Sequence, residues 1–482
     1  MQDEKPVLSF VTTSFRLDSP ARLWLLYALA AASFLTTLHL PYIGEEAVYT
    51  ISSMEMWTER DFLVPTLFGS LYGRPPLYNW LIIPVANLFG WDHVLVAARL
   101  VTACASVLTG LVLAWLSRNL TGDRTLAAFA ALIYLSGDML FYRGWLAYSD
   151  PLFGMFVFAA IACVWVGLEQ DRPLLIWAAI VSLTCAFLTK VETAYLFYGV
   201  SLSVLLAIHR EYRMRLFRPS PIAAHVAGAA AFLIWHHIAT GGTDLQDSNT
   251  GDQIIDKLST VDLADYFRQI ALFPLETFAE LLPVSAVAVW FWVRDRKRRA
   301  AVVSPASGFA VAPLIWILAL NFLPYYLGPR SHIRYIVPLY PLFALLLAVI
   351  IWRLGMMRFS QTVRWLSVAI ALKYVFALWA FPMHQERFRG NQIAAAEQIE
   401  QRTKGFPLYS NDGCAAGLAV TARINERRSP KGYLHWPPAA WTDGFLMSHY
   451  SARSEGEHVV DIVTQHNEKI YLLCRGKACP EH

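Results

Sequence analysis

Charged residues are scarce in this sequence. Of its 482 residues, 16% are Asp, Glu, Lys or Arg, whereas 56% are hydrophobic and the mean hydropathy is +0.41. A typical soluble domain has about 25% charged residues, so this composition excludes an ordinary soluble globule and indicates a chain built for lipid. The formal net charge of +4 is small and offers no case for nucleic-acid binding.

We also expect no cleavable signal peptide. Residues 1–21 are polar and contain Pro6 and Asp18, so we expect the first apolar run to act as its own insertion signal. Cysteine is sparse as well. Cys104, Cys163 and Cys185 lie inside apolar runs, where they are most simply small core residues.

Long apolar runs, in contrast, are abundant. A helix needs about 20 mostly apolar residues to cross a bilayer. Runs of this kind lie at 22–40, 92–117, 125–141, 150–168, 174–189, 192–209, 221–240, 268–293, 308–328, 335–352 and 364–381. A shorter run at 77–90 contains Pro84, and we interpret it as an interfacial helix or the start of the second span. The sequence predicts an α-helical polytopic membrane protein with about eleven transmembrane helices and interfacial helices at the outer face.

Lysine and arginine are distributed unevenly among the loops. If the N-terminus is cytoplasmic, the inside loops carry basic runs such as RDRKRR at 294–299, and the outside loops carry only scattered basic residues. Since cytoplasmic loops are the basic ones, we expect residues 41–91 and the tail from about 382 on the same, non-cytoplasmic side of the membrane. The inside runs need no role beyond setting topology and contacting anionic lipid.

The tail has a different character from the rest of the chain. We expect a transmembrane domain at 1–381 and a small extracytoplasmic α/β domain at 382–482, with a helix at 391–404, a second helix at 459–465 and a buried strand at 469–474. Cys474 and Cys479 are close enough in sequence to form a disulfide in an oxidising compartment. Cys414 is then the one cysteine of the tail outside this disulfide. A zinc site is less favoured because no paired Cys or His stands at ligand spacing.

The polar segment at 241–266 is rich in Gly, Asp and Ser. We expect a mobile outer loop that orders over a bound substrate. Its aspartates lack the spacing, the glycine and the terminal glutamate of a known calcium loop.

Carboxylates at the outer ends of apolar runs are the first candidates for chemistry, because such groups are costly to desolvate. Glu45 and Glu46 follow the first run, and adjacent side chains point in different directions, so at most one faces a shared pocket. Asp150 precedes Pro151 at the outer end of another run. Each has a structural alternative, which is to cap or solvate a helix.

Several cations lie on the same side. The prolines that follow Arg74 restrict its backbone conformation. Arg330 and Arg334 lie at the outer end of a later span. A cluster of such cations near the headgroup layer suits a phosphate. The alternatives are snorkelling to the interface and, for Lys190, an ion pair with Glu192.

The segment GEEAVYTISSMEMWTERDFLVPTLFGSLYGRPPLYNWL at 44–81 resembles the first outer loop of the polyprenyl-phosphate-sugar glycosyltransferases. These include the lipid A aminoarabinose transferases and the protein O-mannosyltransferases, which share the membrane-embedded C-type glycosyltransferase fold. The similar residues there are Glu45-Glu46, Tyr49, Glu55-Met56, Arg60-Asp61, Pro65, Gly69, Tyr72, Arg74-Pro75-Pro76-Leu77 and Trp80. Further similarities lie at Ala97–Leu100, Asp150-Pro151, Leu188–Lys190 and Arg334-Tyr335 with Pro338. The family's aspartate is Glu45 here, and its lysine before Pro-Pro is Arg74.

The resemblance implies an inverting glycosyltransferase that moves a sugar from a polyprenyl-phosphate donor to lipid A, another glycolipid or a protein, without a metal or other cofactor. It implies that Glu45 is the general base on the acceptor and that Asp150 helps to orient sugar or acceptor. It assigns donor and phosphate binding to Arg74, Lys190, Arg334, Tyr72 and Tyr335, and acceptor or sugar orientation to Glu46, Tyr49 and Tyr148. The alternatives are a catalytically silent scaffold and a lipid-linked substrate transporter, although the rim position of the charges and the lack of a repeat disfavour a transporter.

Overall fold

The computed structural model describes residues 19–137, 142–190, 192–240, 263–294, 309–328, 331–429, 432–439, 441–451, 456–465 and 467–480. Most of the segment expected to close over a substrate, 241–262, lies outside the described residues, and so does Arg330.

The described part of the chain is mostly helical. Its helices are α1 (Pro20–Ala32), α2 (Glu46–Glu59), α3 (Leu77–Phe89), α4 (Val94–Thr121), α5 (Arg124–Leu135), α6 (Ser149–Glu169), α7 (Pro173–Thr189), α8 (Thr193–Ile208), α9 (Arg210–Leu216), α10 (Pro219–Thr240), α11 (Leu263–Glu280), α12 (Val284–Arg294), α13 (Ala312–Leu327), α14 (Tyr340–Arg353), α15 (Met356–Val375), α16 (Phe381–Arg389), α17 (Gln392–Arg402) and α18 (Ala415–Arg428). Its strands are β1 (Thr66–Leu67), β2 (Ser70–Leu71), β3 (Leu408–Ser410), β4 (Gly444–Ser448), β5 (His458–Gln465) and β6 (Glu468–Arg475).

Several of these helices are suited to a bilayer. Among the described residues, five helical stretches are long and apolar enough to cross a membrane: Trp91–Thr121, Ser149–Glu169, Pro219–Ala239, Ile333–Arg353 and part of Met356–Arg402. The bent pair α11 and α12 makes a sixth candidate. Apolar side chains along α10, such as Val226, Leu233 and Ile234, are exposed on the protein surface, as expected of a helix that faces lipid. The chain is therefore an α-helical membrane protein.

Two of the apolar runs have breaks that the composition does not show. The run at 268–293 forms α11 and α12, which are bent by 99° relative to each other. Pro283 lies in the turn between them, and it has no backbone N–H to continue the helical ladder. The run at 77–90 forms its own helix, which Gly90 ends at φ 97°, so it is separate from α4.

Helix α6 is the central element of the membrane part. It packs against α4, α7 and the 3₁₀ segment Ile333–Leu339. A Cβ at Gly154 would lie only 2.7 Å from Val337 Cγ1, so the glycine allows the 3₁₀ segment to approach α6 closely. As a consequence, the residues at the start of α6 lie beside Arg334 and Tyr335.

The C-terminal region, residues 391–480, contains a four-stranded sheet in the order β3-β4-β6-β5, in which β3 and β4 are parallel and the other pairs are antiparallel. Apolar residues of α17 and α18, among them Ile399 and Ile424, share a core with sheet residues such as Leu472. The predicted helix at 391–404 and strand at 469–474 are confirmed, and Cys474 is paired with Cys479 as expected.

The second predicted helix, at 459–465, is wrong, because these residues form β5. The segment HVVDIVTQ is rich in β-branched residues, whose restricted χ1 rotation favours strands. Strand β5 pairs antiparallel with β6, so tertiary pairing decides between the two structures.

The C-terminal region packs directly on residues 41–80, which we call the 41–80 segment. The Tyr42 hydroxyl donates to Glu426 Oε1 at 2.6 Å, and the Trp436 N–H donates to the Phe68 carbonyl at 3.0 Å. Tyr433 donates its hydroxyl to Glu59 Oε1 at 2.6 Å. These contacts join the C-terminal region to the 41–80 segment along much of its length.

Candidate active site

The backbone around Glu45 is held in a tight turn. Gly44 has φ +60°, and a Cβ there would lie 2.4 Å from the Tyr148 hydroxyl. That hydroxyl accepts the Glu45 N–H at 3.1 Å and donates to the Ile43 carbonyl at 3.2 Å. Glu45 stands immediately before α2, and its side chain is 58% exposed. The backbone is thus pinned while the carboxylate remains accessible.

The neighbouring carboxylate, Glu46, is turned into the protein. Glu46 and Arg99 are both 0% exposed, and Arg99 donates from Nε at 2.9 Å and from Nη2 at 2.6 Å. The backbone N–H groups of Ile43 and Ala147 also donate to Glu46, at 2.8 and 2.7 Å. This geometry gives Glu46 a positioning role instead of the contact with acceptor or sugar that the resemblance implies.

Arg99, which lies near the start of α4, holds further groups besides Glu46. Its Nη1 donates to the carbonyls of Thr37, Leu38 and Leu40 at 3.1, 3.1 and 2.7 Å, and its Nη2 donates to the Pro41 carbonyl at 2.8 Å. A single side chain on α4 therefore binds both the carbonyls of residues 37–41, which lead from α1 to α2, and the carboxylate that begins α2.

Arg74 joins the 41–80 segment to the start of α6. Its Nη1 donates to the Tyr49 hydroxyl at 3.0 Å, and this hydroxyl lies 2.9 Å from Ser149 Oγ. The Tyr72 ring lies 5.5 Å from the guanidinium carbon. Interaction with Tyr49 first, and then with Tyr72, Asp150 and Glu45, raises the pKa of Arg74 despite its burial.

Lys190 forms an ion pair with Asp150 across the site. The two side chains are 15% and 12% exposed, and the Lys190 ammonium lies 5.4 Å from the centre of the Tyr335 ring. Arg334 borders the same ring, 5.7 Å from its centre, and its Nη1 is 3.9 Å from Glu45 Oε2. Lys190 and Arg334, which were predicted from separate motifs, thus border the same Tyr335 ring, and each of them pairs with a carboxylate.

A cavity of about 220 Å³ lies between these groups. It is lined by Ile43, Gly44, Tyr142, Arg143, Leu146, Tyr148, Asp150, Pro151 and Arg334. Arg143 is one of the scattered basic residues of the predicted outer loops, and no motif pointed to it. Its one sequence signal is that it follows an aromatic residue shortly before the Asp150-Pro151 start of α6.

The site therefore combines an accessible carboxylate, Glu45, with a carboxylate held by a lysine and with a cavity whose wall includes Asp150, Arg143 and Arg334. An exposed carboxylate can accept a proton, and guanidinium and ammonium groups can hold an anion that gains charge. Of the predicted residues, Glu46 alone has no exposed surface with which to contact a bound molecule.

Known proteins match the part of the chain that carries most of these residues. A family model for dolichyl-phosphate-mannose-protein mannosyltransferases matches residues 13–239. These residues include the 41–80 segment, Asp150 and Lys190. The chain is thus similar in sequence to polyprenyl-phosphate-sugar glycosyltransferases, which confirms the resemblance drawn from the 44–81 motifs.

Particular relatives support the same classification. The undecaprenyl phosphate-alpha-4-amino-4-deoxy-L-arabinose arabinosyl transferase of Photorhabdus laumondii is 26% identical over 321 residues, which are 62% of this chain and 56% of the relative. The second such transferase of Proteus mirabilis is 24% identical over 300 residues, 59% of this chain and 52% of the relative. The chain thus spans about half the length of these curated relatives.

The fold is also that of a solved structure. The crystal structure of ArnT from Cupriavidus metallidurans bound to undecaprenyl phosphate superposes with a TM-score of 0.68 at 15% identity, covering 96% of this chain and 100% of that one. At this identity the likeness establishes the fold.

Proposed function

We propose that the protein is an inverting glycosyltransferase that moves a sugar from a polyprenyl-phosphate donor to a hydroxyl group of lipid A, another glycolipid or a protein. The observation that carries this proposal is that Asp150 and Arg334, which line one cavity, each pair with a further charged residue, Asp150 with Lys190 and Arg334 with Glu45. The names of the arabinosyl transferase relatives and the undecaprenyl phosphate in the solved neighbour support the donor class.

In the proposed reaction Glu45 acts as the general base. The acceptor hydroxyl oxygen attacks the anomeric carbon, the bond from this carbon to the phosphate oxygen breaks, and the hydroxyl proton passes to the Glu45 carboxylate. The configuration at the anomeric carbon inverts, and polyprenyl phosphate leaves. The exposed Glu45 side chain on a backbone pinned by Tyr148 suits this role, because the base must meet a mobile acceptor in a fixed place.

The cations stabilise the leaving phosphate. Arg74, Lys190 and Arg334 would contact the donor phosphate, with the Tyr72 and Tyr335 rings packed beside them. An electrostatic contact of this kind accelerates the reaction when it strengthens as the phosphate gains charge. Each of these cations has an intramolecular partner in this structure, and an arriving phosphate would compete for it.

The remaining site residues would position the reacting groups. Asp150 holds Lys190 and borders the cavity, so it would orient the sugar or acceptor while fixing the lysine. Tyr49 would set the direction of Arg74, and Tyr148 the position of Glu45. Arg143 adds a further cation for the donor phosphate at the cavity wall. No metal or other cofactor is part of the proposed reaction.

The proposed architecture has about eleven transmembrane helices within residues 1–381. Residues 382–482 would form an extracytoplasmic α/β domain on the outer face of a bacterial inner membrane, with the N-terminus in the cytoplasm. The basic runs of the predicted inside loops support this orientation, and the disulfide between Cys474 and Cys479 suits an oxidising compartment.

The proposal is tested in a deletion strain. Mass spectrometry of lipid A, other glycolipids and envelope proteins should reveal a sugar that disappears on deletion and returns with the wild-type gene. The Glu45→Gln variant should not restore it, whereas Glu211→Gln, which alters an exposed glutamate remote from the cavity, should. Full restoration by Glu45→Gln would favour a scaffold over an enzyme.

A further inference from the structure

Three side chains of metal-ligand type converge at one edge of the C-terminal sheet. Asp412, Cys414 and His449 each place one ligand atom within 4.8 Å of the others. Asp412 and Cys414 follow β3, and His449 follows β4. Because β3 and β4 are parallel neighbours, the residues that follow them lie at the same edge of the sheet, although the two groups are far apart in the sequence.

Asp412 is the buried member of this cluster. Its side chain is 0% exposed. Oδ1 accepts the Cys414 backbone N–H at 2.9 Å and lies 3.7 Å from His449 Nδ1, whereas Oδ2 has no hydrogen-bond partner. A buried carboxylate oxygen without a donor is costly, so the Asp412 carboxylate calls for a cation or a proton donor beside it.

Helix α18 packs tightly over this carboxylate. A Cβ at Gly417 would lie 2.1 Å from Asp412 Cγ, so only glycine lets the first turn of the helix pass here. Glu468, whose Oε2 accepts the Ala416 N–H at 2.7 Å, adds a further negative charge that acts on both Asp412 and Cys414. Acidic groups packed this closely repel one another unless a cation lies between them.

We propose that Asp412, Cys414 and His449 bind a divalent transition-metal ion of the zinc class. Carboxylate oxygen, thiolate sulfur and imidazole nitrogen are the ligands that zinc takes in tetrahedral sites, and water would occupy the fourth position. The thiolate excludes calcium and magnesium, which prefer oxygen ligands. Ligand atoms of a tetrahedral zinc site lie about 3.5 Å apart, so small side-chain rotations suffice to close the observed cluster.

The metal would connect the C-terminal region to the turn that carries Glu45. Ala415, Ala416 and Glu468 border a small cavity of about 40 Å³ whose other side includes Tyr42 and Gly44. A metal that fixes the first turn of α18 against the sheet would therefore stiffen this contact. The site is separate from the proposed catalytic cavity, and its existence does not depend on the proposed reaction.

The test uses the full-length protein in detergent, stripped with a chelator and then titrated with Co²⁺ as a spectroscopic probe. The wild type should develop a thiolate-to-cobalt charge-transfer band in the near ultraviolet, and Zn²⁺ should remove it. Cys414→Ser should abolish the band, and His449→Gln should weaken Zn²⁺ binding by on the order of 100-fold. Cys185→Ser, which removes a thiol within α7, is the matched control and should retain the band.

A second measurement guards against loss of folding in the variants. In the wild-type protein, bound Zn²⁺ should protect Cys414 from a maleimide reagent, as read by mass spectrometry of the peptide. The absence of a cobalt band in the wild type, its persistence in Cys414→Ser, or equal labelling of Cys414 with and without Zn²⁺ would each overturn the proposal. None of these measurements involves glycosyl transfer, so their outcome is independent of the proposed function.

Discussion

Arg99 on α4 and Glu46 at the start of α2 form an ion pair of 2.6 Å in which neither side chain has any exposed surface. The pair fixes the start of α2 on α4, where Arg99 also binds the Leu40 carbonyl, and leaves the adjacent Glu45 facing outward. The position of the proposed base therefore depends on a buried contact that has no direct part in the reaction.

Loss of this ion pair should destabilise the protein. Arg99→Leu leaves Glu46 buried without its cation, and such a change typically costs about 3–5 kcal/mol. The apparent Tm in detergent should fall clearly. Arg218→Ala, which breaks the exposed ion pair with Asp171, should change the Tm little. An unchanged Tm for Arg99→Leu would show that the pair does not anchor the segment.

Glu45→Gln should separate chemistry from binding. The amide keeps the shape of the side chain but cannot take the acceptor proton, so turnover should fall by roughly two to four orders of magnitude. Donor lipid should still bind, as measured with purified protein and labelled polyprenyl phosphate. Glu211→Gln is the control. If turnover is retained, Glu45 is not the base, and Asp150 becomes the next residue to examine.

Arg74→Ala should weaken donor binding and also slow turnover, because its contact with the phosphate strengthens in the transition state. Arg74→Lys should recover part of both, since the resembling family has lysine at this position. Equilibrium binding and initial rates measured on the same preparations would separate the effects. Normal binding and turnover in Arg74→Ala would remove this residue from the phosphate site.

The stability of the 41–80 segment should depend on pH through Glu55. Burial raises the pKa of its carboxyl from 4.5 to about 7, although Thr66 and the backbone N–H groups of Phe68 and Gly69 donate to it. The folded state then binds more protons than the unfolded state between these values, so stability falls as the pH rises through this range. The Tm should drop from about pH 5 to about pH 8, and Glu55→Gln should show a smaller drop. An equal drop in both proteins would assign the effect to other groups.

Labelling should show the 41–80 segment and the C-terminal region on the same side of the membrane. Ser70 and Ser451 are exposed, so Ser70→Cys and Ser451→Cys, in a background without Cys104 and Cys414, should react with a membrane-impermeant maleimide in intact spheroplasts. The background protein alone is the control. Protection of either position until the cells are lysed would contradict the proposed orientation.

The site was partly predictable because its residues stand in local motifs. Arg74 before two prolines, Asp150 before Pro151 and Lys190 at the end of an apolar run are visible in the sequence, and they lie in one region of the structure. Local spacing could not show that Lys190 pairs with Asp150, because the two residues are on different helices. Arg99 carried an unused signal, since an arginine inside an apolar run needs a buried partner.

The sequence by itself determined the helical membrane character of the protein and the kinds of side chain in the site, which are carboxylates and cations. Composition, the length of the apolar runs and charge are properties of the chain alone. It also determined the pairing of Cys474 with Cys479, since a short separation limits the partners. Only the tertiary structure decided which of two adjacent glutamates faces outward, because Arg99 and the Ala147 N–H reach Glu46 from other parts of the chain. It likewise decided that 459–465 is a strand and that Asp412, Cys414 and His449 meet, because strand pairing brings together residues that local sequence leaves apart.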